Sequence, residues 1–75
     1  MDKNELILEI INRKGPVIPV QVSKEINDNV LMASARLSEL LSSKKIKISS
    51  LKVGGSPLYY LPGQEEKLRC FGNNL

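Results

Sequence analysis

With 75 residues, 41% of them apolar and 25% charged, the chain has material for one small globular domain. A core of this size buries only ~60% of the unfolded surface, so a pocket able to enclose a substrate would use up most of it, and surface binding is expected over catalysis. Eleven Lys and Arg against eight Asp and Glu (net +3) permit an anionic partner, and the absence of histidine excludes Ser/His and Cys/His nucleophile pairs and removes the commonest metal ligand.

Leu6, Ile7, Ile10 and Ile11 draw an apolar stripe on a helix over about residues 2–14. Asp2 or Asn4 is placed to cap it, and Lys14-Gly15-Pro16 ends it, because glycine accepts a left-handed conformation and the residue before proline is pushed out of the α region. Val17-Ile18-Pro19 reads as a short extended piece. A second helix of two turns begins at Pro19 or Val20 and reaches Ile26, burying Val22 and Ile26.

Asn27-Asp28-Asn29 is a tight helix-to-helix turn, since these side chains bond their own backbone and asparagine tolerates positive φ. From Val30 to about Ser43, the positions Val30, Ala33, Leu37, Leu40 and Leu41 fall within ~100° of arc, which predicts a third amphipathic helix capped by Asp28 or Asn29. Its outward face carries Leu31, Met32, Ala35, Arg36, Glu39 and Ser42, with Ser34 and Ser38 at the flanks.

After Lys44 the period shortens to two. Ile46 and Ile48 alternate with Lys45, Lys47 and Ser49, which predicts a strand, whereas Leu51 and Val53 take the opposite parity, a switch that a bulge near Ser49-Ser50 or burial on both faces would explain. Val53-Gly54-Gly55-Ser56-Pro57 supplies turn chemistry, Leu58-Tyr59-Tyr60-Leu61 the second strand of a hairpin, and Pro62-Gly63 the stop. Of Tyr59 and Tyr60, one is expected inside and one partly exposed. Gln64 to Phe71 suits a last short helix with Leu68 and Phe71 inward, and Gly72-Asn73-Asn74-Leu75 a frayed tail. The expected division is therefore 1–63 for the domain and 64–75 for the short helix and tail.

Cys70 is the sole cysteine, so an internal disulfide and a zinc cage are both excluded; beside Leu68 and Phe71 it reads as a packing residue. No apolar run approaches the ~18 residues that cross a bilayer, and Met1-Asp2-Lys3-Asn4-Glu5 is unlike a signal peptide, so a cytoplasmic location without membrane attachment is expected. No catalytic residue, cofactor or metal ligand is expected. Glu5, Glu9 and Glu25 are solvated helix-face charges.

Charge is distributed unevenly. Residues 1–43 hold five cations against six acids, whereas residues 44–63 hold Lys44, Lys45, Lys47 and Lys52 with no acid. That stretch is the place to look for phosphate contacts, although lysines on a hairpin also serve to protect an exposed edge.

The order helix, short strand, helix, tight turn, helix, hairpin resembles the winged helix-turn-helix family, most specifically over Val22 to Ile46, where Val22, Ile26, Val30, Ala33, Leu37 and Leu40 match its apolar core pattern. The resemblance, to prokaryotic and archaeal members, implies an α+β fold: a three-helix core, a β-hairpin wing at residues 53–57, and a short terminal helix. Asn27 replaces the glycine frequent in the family's turn. The resemblance further implies a DNA-binding module of a transcription regulator, with the third helix in the major groove and the wing on an adjacent groove or the backbone. By position, Leu31, Met32, Ala35 and Arg36 would face bases, Arg36 as a bidentate partner for guanine. Asn29, Ser34, Lys44, Lys45, Lys47, Lys52, Gly54, Gly55 and Ser56 would lie near the backbone. Arg36 also has a plain reading, as a surface residue paired with Glu39 or another acid. The alternative function is a protein-interaction module docking through Leu31, Met32 and Ala35, side chains that suit a protein interface better than a phosphate-rich groove. The domain is expected to be a monomer, because its terminal helices are short for a family dimer.

Overall fold

In the computed structural model, residues 2–68 are described. Helix α1 spans Lys3–Lys14, α2 Pro19–Glu25 and α3 Val30–Ser42, followed by strands β1 (Lys47–Val53) and β2 (Ser56–Tyr60) and a 3-10 turn at Glu65–Lys67. The protein is thus a small α+β unit, three helices and then a two-stranded antiparallel hairpin.

The core sits between the inner faces of the helices and the hairpin. Ile7, Ile10 and Ile11 of α1 meet Val22 and Ile26 of the α2 region and Ala33, Leu37 and Leu40 of α3; Val17, Ile46 and Tyr59 close the cluster. Each fully buried aliphatic side chain here contributes roughly 1.5–3 kcal/mol.

Local chemistry sets the helix ends. Asp2 caps α1, its carboxylate accepting from the Glu5 amide at 2.8 Å. Gln21 reaches back to the Ile18 amide at the start of α2, and Asn29 caps α3 by accepting from the Met32 amide at 2.8 Å. Asn27 is left-handed, with φ 57°, as expected of an asparagine in this turn, and the Asp28 amide closes α2 on the Ser23 carbonyl.

Val17 of the predicted extended piece exchanges both backbone hydrogen bonds with Tyr59, at 2.8 and 2.9 Å, adding a one-residue rung to the outer side of β2. Of the two explanations for the parity switch, the structure has the bulge: Ile48 pairs with Tyr59 but Lys52 with Pro57, so three residues of β1 face one of β2 between those pairs.

The hairpin departs from expectation in two ways. Its loop is only Gly54-Gly55, both at positive φ (60° and 85°), which two consecutive glycines accept without steric cost, so β2 starts at Ser56 and includes Pro57. Pro57 fits because it pairs opposite Lys52, one step from the hydrogen-bonded closing pair, where a missing N–H breaks no bond to β1. Second, Ile48 is 44% exposed, not buried with Ile46, because β1 is the outer strand and no further strand among the described residues pairs with its free edge. Tyr59 is buried and Tyr60 half-buried. Of the expected last helix, only the Glu65–Lys67 turn and Leu68 are described; Cys70, Phe71 and the expected frayed tail lie outside the described residues.

Candidate nucleic-acid interface

The first turn of α3 is bare. Val30, Leu31 and Met32 are 43%, 78% and 41% exposed, and at 100° per residue three successive positions sweep most of the helix circumference. This corrects the expectation that Val30 joins the core: the turn projects past the cover of α1 and α2, and burial begins only at Ala33. Further along, Leu31, Ala35, Ser38, Glu39 and Ser42 share the outward stripe, and all are exposed. Ser34 is half-buried on one flank. The side-chain oxygen of Asn29 is committed to the helix cap.

Arg36 is not on that stripe. It lies on the other flank, half-buried and turned back toward α1. Its Nη1 donates to Asn4 Oδ1 at 3.4 Å, and its Nε stands 3.9 Å from Asp28 Oδ2. Asn4 in turn donates to Glu39 at 3.2 Å. The acid that Arg36 approaches is therefore Asp28, in the turn between α2 and α3, with Glu39 only a second neighbour through Asn4. Asp28 is well supplied already: Lys3 Nζ donates to Oδ2 at 3.2 Å and the Asn29 amide to Oδ1 at 3.0 Å. The Lys3 hydrogen bond first, then the Asn29 amide, hold its carboxyl below the usual range. Arg36 Nε is buried without any hydrogen-bond partner, a deficit worth roughly 1–3 kcal/mol.

The four lysines after α3 differ among themselves. Lys44 is left-handed (φ 64°): its amide donates to the Leu41 carbonyl and that of Lys45 to Leu40, the paired bonds that close a helix when glycine stands at this position. Lys47 pairs with Glu65 at 3.5 Å. The carboxyl of Glu65 is held low chiefly by its own amide and that of Gly63, with Lys47 adding to the effect. Lys44, Lys45 and Lys52 are exposed and make no ion pair among the described residues. Gly54 and Gly55 have open space around them and Ser56 is half-buried, so the hairpin tip is uncrowded.

Gln64 escaped the sequence reading. It is buried, its Nε2 donates to the Ile11 carbonyl at 2.9 Å and its Oε1 accepts from the Leu61 amide, stitching the segment after the hairpin to the end of α1. A glutamine after Pro-Gly carries no periodic signal; a partner 53 residues away in sequence is visible only in three dimensions.

Among the described residues no pocket is found, no group of His, Cys, Asp and Glu is placed to hold a metal ion, and no helix is long and apolar enough to cross a membrane. Comparison with family models, curated proteins and solved structures finds no match.

Proposed function

We propose that this is a winged-helix domain that binds double-stranded DNA, with the start of α3 in the major groove and the cations after α3 on the phosphates, as a module of a transcription regulator. The observation that carries the reading is the bare first turn of α3, a capped helix start that follows a tight helix-to-helix turn and is left uncovered by the rest of the domain. Support comes also from Lys44, Lys45 and Lys52, exposed and without acidic partners among the described residues. Leu31, Met32 and Ala35 suit thymine methyl groups, and the lysines supply positioning without sequence preference. Replacing Lys44, Lys45 and Lys52 together by Gln is expected to weaken binding to all duplex sequences alike and to flatten the salt dependence by about 3 × 0.9 in log–log slope. Unchanged affinity and slope in that variant would remove the electrostatic half of the proposal.

One observation favours a second reading. Three consecutive large apolar side chains, Val30, Leu31 and Met32, stand exposed around a first turn of α3 that carries no cation, which suits a protein partner. The two readings part on salt: docking through an apolar patch persists as salt rises, while phosphate binding fades.

A further inference from the structure

Arg36 is held, but held poorly. Asp28 has both carboxylate oxygens occupied by better donors, Lys3 Nζ at 3.2 Å and the Asn29 amide at 3.0 Å, while Arg36 Nε stays 3.9 Å away and unbonded. Among the described residues the guanidinium makes a single hydrogen bond, donated by Nη1 to Asn4 Oδ1 at 3.4 Å, the long end of the range. Arg36 begins one helical turn after Met32, at the edge of the bare α3 start, and its side chain remains 30% exposed. A guanidinium with a buried, unpaired donor gains by moving to any acceptor that satisfies it, and a phosphate or a guanine edge does so with two bonds.

We propose that Asp28 and Asn4 form an intramolecular parking site for Arg36, competing with DNA for the guanidinium. The proposal rests on the DNA-binding reading. Docked, Arg36 knits α1 to the α2–α3 turn; released, it swings toward the exposed start of α3 and adds a contact to the duplex. Lys3 weakens the parking site by saturating Asp28, which keeps the side chain ready to leave.

The test is a double-mutant cycle read by affinity for a mixed-sequence DNA duplex at low salt, with the thermal midpoint of each variant measured alongside. Asn4→Ala removes the guanidinium's acceptor without changing charge, and is expected to tighten binding about three-fold. Asp28→Asn is expected to tighten it further, part of that gain coming simply from the lost negative charge. In an Arg36→Gln background the Asn4→Ala gain disappears, and only the charge part of the Asp28→Asn gain remains. The Arg36 Nε–Hε resonance should also move when duplex is added to the unmodified protein. If Asn4→Ala tightens binding equally with and without Arg36, or if the resonance stays still while the duplex binds, the parking site is refuted and the DNA reading stands. If no variant binds duplex at all, both fall.

Discussion

Leu37 and Leu31 lie on the same helix under opposite conditions: Leu37 is fully buried in the core cluster, while Leu31 is 78% exposed. The inner stripe of α3, Ala33, Leu37 and Leu40, is what makes the fold. The outer stripe, Leu31, Ala35, Ser38, Glu39 and Ser42, is exposed, which leaves it open to a partner. The comparison extends to charge. Arg36, on the flank, is drawn into contacts with Asn4 and Asp28, whereas Lys44, Lys45 and Lys52 remain in solvent. Position in the fold, more than residue type, decides which cations are available.

The comparison breaks if both faces respond alike. Leu37→Ala should cost about 2–5 kcal/mol in denaturant unfolding, the largest effect here, because it opens a cavity that the surrounding helices cannot fill. Lys44→Gly should stabilise the domain by up to ~1 kcal/mol, since glycine takes the left-handed position without the Cβ penalty, and it should weaken duplex binding at the same time by removing a cation. Opposite signs in those two readouts would separate the structural from the electrostatic share of one residue. Leu31→Ser should move stability by no more than ~0.5 kcal/mol while reducing partner binding.

Acid sharpens the charge comparison. The Asp28 carboxyl is held below its ordinary value of 3.8, so its contribution to stability is complete above that value and is lost as pH falls through the lower, folded-state value. In an acid titration followed by circular dichroism, Asp28→Asn should flatten the low-pH limb, with Lys3 and Arg36 as the cations whose pairing is removed.

Much of the fold could be read from the chain because it is locally encoded. Asn27 signals its own left-handed turn, Asn29 its own cap, and the switch of parity between Ile48 and Leu51 the place of the bulge. The parts that could not be read depend on distant partners. A helical wheel gives the angle of Arg36 but not that residues 3, 4 and 28 converge beside it, and nothing near Gln64 announces the Ile11 carbonyl. Val30 satisfied the apolar period and still fell outside the core, because periodicity fixes direction and not how far the neighbouring helices extend. Lys44 was legible as a cation and not as the helix-closing residue, since its type favours the helix it ends.

The most direct test of the central claim is an amide-shift titration of the labelled domain with a mixed-sequence DNA duplex, begun at low salt and repeated as salt rises. The account predicts shifts at residues 29–36 and 44–57, and at Asn4 and Asp28 as Arg36 leaves them, with an affinity that falls along a log–log salt slope of about −3 for the three phosphates neutralised by Lys44, Lys45 and Lys52. No shifts at low salt, or shifts that ignore salt and centre on Val30, Leu31 and Met32 only when a protein partner is present, would contradict it.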